Sequence, residues 1–348
     1  MVFPCLEELY ISYINVERIW DDKLSDCNQK LTRLIIKGCD KLKHLLSTSM
    51  ARSMVHLNYL KVQNCDSLRE IISSVEGNVA EGGVAKDDTM TQIFPKLESL
   101  VLSTLRDLER FCHGNQFEFS SLKTLRIWGC FSLKTFISDT MVESETHGQE
   151  AEEKSEIYFS RLFNEKVVFP CLEELDISYI NVERIWDDKL SDCNQKLTSL
   201  SIWRCDKLKH LLSTSMARSL VHLNYLKVHG CKSLREIIST EGNVAEAVAK
   251  DYMMTQIFPK LESLVLNHLP KLKRFCCGNQ FKFSSLKTLI IWECPSFTTF
   301  VTDHVGEEVE ENKSRINFSP LFNEKVVLPM VEDLRIRGFW EYGMINKL

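Results

Sequence analysis

The residues of this chain best suited to chemistry are its 13 cysteines and nine histidines, since thiolates and imidazoles serve as zinc ligands and catalytic groups. A zinc site needs closely spaced ligands, and no Cys-x-x-Cys pair occurs. Cys112 and His113 are neighbours, but a second copy of the same stretch has Cys276 and Cys277 at these positions. The sequence therefore predicts no metal site.

Motifs of known catalytic sites are missing from the sequence. It has no phosphate loop of the G-x-x-x-x-G-K-[ST] type, no H-E-x-x-H and no G-x-S-x-G. His44 and His56 recur as His210 and His222, and paired recurrence indicates structural positions better than one active centre. We expect a protein that is not an enzyme and binds no cofactor.

The cysteines instead mark a short repeat. It reads Leu-x-x-Leu-x-(Leu/Ile/Val), often followed three residues later by Cys and then by two further apolar residues, as in LTRLIIKGCDKLKHL at 31–45. Its eleven instances begin at Leu6, Leu31, Leu57, Leu97, Leu122, Leu172, Leu197, Leu223, Leu261, Leu286 and Val331. The cysteine position is occupied by Cys39, Cys65, Cys130, Cys205, Cys231 and Cys294, where we expect small buried side chains that pack against a turn.

The spacing within the repeat predicts its fold. The second and third apolar residues are two apart, as on one face of a strand, whereas those after the cysteine are three apart, closer to helical or 3₁₀ spacing. One such unit cannot bury its apolar side alone, but stacked neighbours can. We predict an α/β leucine-rich repeat solenoid, a curved horseshoe with short parallel strands on its concave face and irregular, 3₁₀ or helical turns on its convex face.

A longer duplication overlies the short repeat. The stretch 3–32 returns at 169–198, 166 positions later, with only Tyr10 replaced, by Asp176. We predict a first copy of five repeats at 1–166, a second copy of five at 167–325 and the start of a third at 326–348. All three form one continuous solenoid in this prediction.

Insertions lengthen some of the intervals between repeats, which otherwise measure about 25 residues. They are polar or rich in glutamate, so we expect solvated loops, with binding of a basic partner by the acidic ones as the alternative. The insertions lie at 76–88, 142–156, 241–251 and 303–315. Each ends near a Phe-Pro or Leu-Pro pair, and we expect the residue before the proline to be extended.

Composition limits the partner classes. The net charge of −5 gives no case for nucleic acid as partner. No apolar run reaches about 18 residues, so we expect no membrane span, and the first residues lack the pattern of a signal peptide. An odd, dispersed set of thiols is typical of a reducing compartment, which predicts a cytoplasmic protein.

The two copies differ mainly at one set of positions. Residues 2–73 and 168–239 differ at nine of 72 positions. Counting the first Leu of a repeat as position 1, seven of the nine lie at positions 3, 5, 7 or 8, which should face the concave surface. We call the side chains at these four positions the variable face. The two copies share the same apolar frame but differ on the variable face, which indicates a binding surface.

Residue types on the variable face favour a protein as the partner, because exposed aromatic and arginine side chains anchor protein interfaces. The alternative is that some of these rings fill gaps between neighbouring strands. The candidate binding residues are Tyr59, Lys61, Arg126, Trp128, Trp203, Tyr225, Lys227, His229, Trp292, Arg335 and Arg337.

The repeat style resembles a known family. Repeats of the LxxLxIxxCxxLxxL type, interspersed with FPxLExL as in FPKLESL at 94–100, resemble the C-terminal leucine-rich region of plant nucleotide-binding disease-resistance proteins of the coiled-coil class. The resemblance implies a part of an intracellular immune receptor that detects pathogen effectors, directly or through a guarded host protein. It also implies contact with an NB-ARC-type nucleotide-switched module. The phosphate loop of that module is missing here, so nucleotide binding carries over to no residue.

Three other interpretations stay open at this point. The chain can be a substrate-recognition adaptor of a ubiquitin ligase, a decayed or truncated fragment of a resistance gene, or a secreted or receptor ectodomain. The last of these would be glycosylated at Asn312 or Asn317, which match the acceptor pattern.

Overall fold

The structure is a computed structural model. It describes residues 3, 5–20, 30–73, 91–114, 116–138, 161–187, 195–239, 255–277, 281–302 and 320–338. The four predicted insertions and the two glycosylation motifs lie outside the described residues.

Short strands dominate the described residues. Up to residue 168 the elements are β1 (Glu8–Ser12), β2 (Arg33–Lys37), β3 (His44–Ser47), α1 (Thr48–Ser53), β4 (Tyr59–Gln63), β5 (Glu70–Ser73), β6 (Thr91–Gln92), β7 (Ser99–Ser103), β8 (Arg110–His113), β9 (Phe117–Glu118), β10 (Thr124–Trp128), β11 (Ile137–Ser138), β12 (Arg161–Phe163) and β13 (Val167–Val168). They continue with β14 (Glu174–Ser178), β15 (Arg184–Trp186), β16 (Ser199–Trp203), β17 (His210–Ser213), α2 (Thr214–Ser219), β18 (Tyr225–His229), β19 (Glu236–Ser239), β20 (Thr255–Gln256), β21 (Ser263–Asn267), β22 (Arg274–Cys277), β23 (Phe281–Lys282), β24 (Thr288–Trp292), β25 (Thr299–Thr302), β26 (Val326–Val327) and β27 (Asp333–Arg337).

The chain divides into two compact units, which are described separately. Unit 1 comprises Met1–Leu172 with Ile180–Lys189, and unit 2 comprises Glu173–Tyr179 with Leu190–Leu348. This division follows spatial contact, so the copy boundaries expected from the sequence near residues 166 and 325 stay predictions.

A parallel sheet with one strand from each repeat runs through each unit. In unit 1 its strand order is β1-β2-β4-β7-β10, and in unit 2 it is β14-β16-β18-β21-β24-β27. Neighbouring strands pair in matching register, so that Leu175, Leu200 and Leu226 lie side by side. The predicted leucine-rich repeat architecture is confirmed, because every predicted repeat begins two residues before one of these strands.

Burial alternates along each of these strands, as period-two spacing requires. In β16, Leu200 and Ile202 are fully buried, and the residues between and beside them are half-buried. The final strand β27 has the same apolar frame but no following repeat in the described residues, and there Leu334 is 50% exposed. Neighbouring repeats therefore supply the burial that a single strand lacks.

The turns behind the sheet differ in part from the spacing-based prediction. The first turn after the cysteine is tight as predicted, with Leu42 N–H donating to the Cys39 carbonyl at 3.1 Å. The chain then forms a second parallel ladder, β3-β5-β8-β11 in unit 1 and β17-β19-β22-β25 in unit 2, where we expected helical or 3₁₀ turns. The two α-helices in the described residues, α1 and α2, each begin after a serine that caps the N-terminus.

The repeat cysteines have the packing role that was predicted. All six are buried, and each thiol donates to the carbonyl of the residue two positions earlier, as Cys205 Sγ does to Trp203 O at 3.5 Å. Burial raises the pKa of Cys65 to about 12 and that of Cys294 to about 11. The thiols of Cys65 and Cys294 are therefore protonated near neutral pH and stabilise the turn rather than act as nucleophiles.

The expectation for the residue before the proline is wrong at two of the Phe-Pro pairs. Phe94 and Phe258 both have φ +46°, in the left-handed region rather than the extended one. In each case the phenylalanine carbonyl accepts the N–H three residues later, from Leu97 at 2.9 Å and from Leu261 at 3.0 Å. The proline thus lies inside a tight turn, and the strand begins after that turn is closed.

Removing a buried frame residue should destabilise the chain strongly. Leu200→Ala should lower the free energy of unfolding by about 2–5 kcal/mol, because it deletes fully buried methyl groups and leaves a cavity. Leu334→Ala, at the same frame position but half exposed, is the matched control and should cost clearly less. Urea unfolding measures both, and equal losses would show that stacking does not bury the frame.

Candidate functional site

The register of the main sheet turns the variable face into rows of equivalent side chains. Because neighbouring strands pair position by position, residues at position 5 of successive repeats lie next to one another. In unit 1 Tyr10, Ile35 and Lys61 are neighbours of this kind. A ligand that crosses the strands therefore meets one side chain from each repeat, about every 4.8 Å.

Unit 1 contributes four of the predicted residues to its variable face. Trp128 is 55% exposed and Arg126 is exposed beside it. Tyr59 and Lys61 are half-buried on β4. The Arg33 guanidinium carbon lies 4.1 Å from the centre of the Tyr59 ring, which is a cation–π contact. Tyr59 thus packs against a neighbouring strand and also keeps an accessible edge.

Four further predicted residues lie together in unit 2. The Trp203 ring is 4.6 Å from the His229 ring, and Lys227 Nζ is 4.4 Å from the centre of the Trp203 ring. Tyr225 is half-buried on the same strand as Lys227 and His229. Gap filling and exposure are therefore both present here, because the Trp203 and His229 rings pack against each other across neighbouring strands and both stay half-buried.

The last predicted residues lie on the final two strands of unit 2. Trp292 is 37% exposed and pairs in register with Arg337. Arg335 forms an ion pair with Asp333 at 2.8 Å, and this carboxylate raises the pKa of the guanidinium. The side chains of Arg335 and Arg337 are exposed. Binding by any of these residues stays a prediction.

Two residues that the sequence analysis did not select extend the unit 2 cluster. The His268 ring lies 5.0 Å from that of His229, and its Nε2 contacts the Glu293 carboxylate. The column Trp203–His229–His268 thus crosses three strands and ends at a carboxylate. Unit 1 has Lys37, Gln63, Thr104 and Gly129 at the four equivalent positions, so the whole cluster belongs to the second copy.

Position 8 of the repeat has a strained backbone that sequence reasoning missed. At this position φ is positive in ten repeats, for glycine and for larger residues alike: Tyr13, Gly38, Asn64, Thr104, Gly129, Tyr179, Arg204, Gly230, His268 and Glu293. A left-handed conformation costs a non-glycine residue roughly 1–2 kcal/mol. The recurrence of Gly and Asn at position 8 was the signal available in the sequence, and larger side chains at a strained position favour a functional reason.

Packing at position 8 also differs between the units. A side chain at Gly38 would collide with the Tyr13 ring, because an added Cβ would lie 2.5 Å from it. The equivalent residue in unit 2 is Arg204, whose guanidinium carbon lies 5.8 Å from the centre of the Tyr179 ring. The same backbone turn therefore presents a tyrosine face in unit 1 and an arginine over tyrosine in unit 2.

The environment of His229 disfavours its charged form. Burial lowers its pKa below the ordinary value, and electrostatic interactions with His268, Lys227 and Arg204 lower it further, against a smaller opposing effect of Glu293. His229 is therefore neutral near pH 7, and a proton added there meets other cations at close range.

Metal-ligating side chains are not clustered in the part of the chain that the structure describes. No three His, Cys, Asp or Glu residues there lie close enough to hold a metal ion. Cys112 is buried, and His113 Nδ1 instead contacts the Ser138 hydroxyl at 2.7 Å. Among the same residues, no helix has the length and apolar character needed to cross a bilayer.

The variable face has the residue types of a protein-recognition surface. It combines aromatic rings, arginine and lysine on a rigid sheet, and these residue types form the energetic centres of protein interfaces. The fold defines a leucine-rich repeat protein, and binding through the variable face stays a prediction.

Comparison with known proteins places the chain within that class. The sequence model described as "Plant disease resistance protein RPS2-like, leucine-rich repeats" matches residues 5–146 and 171–311. The chain belongs to this family, as its repeat style predicted. The family match indicates a role in protein interaction, and the matched family is not an enzymatic one.

One curated relative and one solved structure are also similar. Disease resistance protein RPP4 of Arabidopsis thaliana is 24% identical over 257 residues, which cover 70% of this chain and 20% of that protein. The chain thus spans about a fifth of the length of this relative. The plant peptide hormone receptor RGFR1, solved in complex with RGF2, is 11% identical over 86% of this chain and 67% of its own, and its TM-score of 0.15 is too low to support any argument.

The lowered pKa of His229 predicts a pH-dependent stability. The folded state binds fewer protons than the unfolded state between the folded pKa and the unfolded value of about 6.5. The free energy of unfolding should therefore fall as the pH drops through this window. His229→Gln, which copies Gln63 of the first unit, should make that fall smaller. Urea titrations at about pH 7.5 and 5.5 measure the free energy of unfolding of both proteins. An equal decrease in the wild-type chain and the variant would contradict the burial of a neutral imidazole.

Proposed function

We propose that this chain is the protein-recognition region of a plant immune receptor, and that it binds a pathogen effector or a guarded host protein through the variable face. The proposed role is non-catalytic and requires no cofactor. It locates the chain in the cytoplasm, where the dispersed thiols stay reduced. An NB-ARC-type module of the parent receptor is a further partner in this proposal.

The observation that carries the proposal is where the two copies differ. Seven of the nine differences between 2–73 and 168–239 fall on the variable face, although the three repeats in this window supply only 12 such positions. Exposure alone does not explain the pattern, because the outer turns at 40–53 and 206–219 are identical. Conservation of the frame with change on one face is what a change of binding partner requires.

The surface chemistry supports a protein partner in particular. In each unit a half-exposed or exposed tryptophan or tyrosine lies beside a cation, as Trp128 does beside Arg126 and Trp203 beside Lys227. Such rings bury a large area at little cost in conformational entropy. The interpretation as a ubiquitin-ligase adaptor would use the same surface, and membership of the disease-resistance family favours the immune role over it.

Replacing two unit 2 rings tests the proposal. Trp203→Ala with Tyr225→Ala should weaken binding to a partner by roughly tenfold or more, since truncation of central aromatic residues commonly costs over 1 kcal/mol each. The partner is obtained by screening the chain against displayed plant and pathogen proteins. Titration calorimetry then compares the wild-type chain with the double variant.

A matched control uses exposed residues of the outer turns. Lys207→Ala with Arg218→Ala removes two exposed side chains outside the variable face and should leave affinity unchanged. Circular dichroism checks that both double variants are folded. Loss of binding in the outer-turn variant together with full binding by the variable-face variant would refute the proposed surface.

A further inference from the structure

The variable face of unit 1 has a charge opposite to that of the whole chain. Each of the five repeats of its main sheet has four variable positions, and together these positions hold four cations and one carboxylate. The chain as a whole has a net charge of −5. The cations are Arg33, Lys37, Lys61 and Arg126, and the carboxylate is Glu8.

Three of these cations, Arg33, Lys37 and Lys61, are poorly compensated by carboxylates of the protein itself. Among the described residues no carboxylate lies within 4.0 Å of the charged groups of Arg33, Lys37 or Lys61. Glu8 pairs in register with Arg33, yet the Arg33 side chain turns to the opposite neighbour and lies over Tyr59. Lys37 similarly lies over Tyr13, with Nζ 5.6 Å from the ring centre. Their charged groups thus contact aromatic rings, which leaves their hydrogen-bond donors available for acceptors of a ligand.

The second copy lacks this charge. Ser199, Trp203 and Ile290 replace Arg33, Lys37 and Arg126, and acidic residues appear at two other positions. The five equivalent strands of unit 2 hold two cations and three carboxylates: Arg204 and Lys227 against Glu174, Asp176 and Glu293. The scaffold therefore tolerates neutral residues at the basic positions, and the positive charge is a property of the unit 1 surface rather than of the fold.

We propose that the variable face of unit 1 binds an acidic, extended protein segment that crosses the strands from β2 to β10. The proposal rests on the proposed function and specifies the partner chemistry of the same surface. These four neighbouring strands span about 14 Å, a distance that about five extended residues cover. Carboxylates on alternate residues of such a segment point to one side and can reach successive cations. Tyr59 and Trp128 then contact the apolar parts of the segment.

A protein segment fits this face better than a nucleic acid. Sequence-independent nucleic-acid binding neutralises on the order of 6–10 phosphates, and four cations with one carboxylate among them supply less than that. The acidic chain as a whole also repels a polyanion at long range. A short acidic peptide can be bound by the local positive charge of the unit 1 face alone.

The experiment measures fluorescence anisotropy of the full chain with a labelled peptide of about twelve residues, with Glu alternating with Gly and Tyr. The same peptide with Lys in place of Glu is the charge control, and a single-stranded RNA of similar length tests the other polymer class. The variant R33S/K37W/R126I gives unit 1 the residues that the second copy has at these positions. The reverse variant S199R/W203K/I290R gives unit 2 the cations.

The proposal expects the acidic peptide to bind the wild-type chain and to bind less well between about 50 and 300 mM salt. The unit 1 variant should bind it about tenfold more weakly, because three exposed ion pairs are lost. The reverse variant should bind it more tightly than the wild-type chain does. Circular dichroism establishes that both variants are folded, and each uses residues already accommodated by one copy.

Three results would overturn the proposal. They are equal binding of the lysine peptide, equal binding of the acidic peptide by the unit 1 variant, and tighter binding of RNA that the same variant loses. The outcome is distinct from that of the proposed function, because partner binding that depends on Trp203 and Tyr225 does not require the unit 1 charges. If the unit 1 variant binds the acidic peptide as well as the wild-type chain does, while loss of the Trp203 and Tyr225 rings still weakens partner binding, only the acidic-segment inference is refuted.

Discussion

The whole structure depends on the inability of one short strand to bury its own apolar frame. Leu200 and Ile202, between two neighbouring strands, are fully buried, whereas Leu334 at the same frame position of the last described strand is half exposed. Burial of a leucine side chain contributes roughly 1.5–3 kcal/mol. Each repeat therefore needs the next one to complete the burial of its frame, and this stacking fixes the parallel register of the main sheet.

This constraint acts on only half of each strand. The core requires apolar side chains at positions 4 and 6 and a small one at the cysteine position. The cysteine thiol also closes the turn by donating to the carbonyl of position 7. Positions 3, 5, 7 and 8 face away from that core and are free to change. The left-handed backbone at position 8 holds even Thr104 and Arg204, so the scaffold supports surface side chains at a local cost in stability.

The sequence predicted the part of the structure that periodicity determines. Spacing of two and a recurring cysteine located every strand of the main sheet and the faces of residues such as Trp128 and Lys61. It did not predict the second ladder, because His44 to Ser47 has no alternation that separates a strand from a turn. It also missed the pairing of His268 with Glu293 and the contact of Arg33 with Tyr59. Those contacts depend on which strands become neighbours and on side-chain rotamers, which no local pattern determines.

The apolar frame holds the fold, while the variable face is free to differ. Urea unfolding of a chain in which the second copy receives the seven variable-face residues of the first tests this division of roles. We expect a single cooperative transition with a free energy of unfolding within about 1 kcal/mol of the wild-type value. Loss of cooperativity, or a loss of more than about 3 kcal/mol, would contradict it. The exchanged positions are Asp176, Ser199, Ser201, Trp203, Arg204, His229 and Gly230.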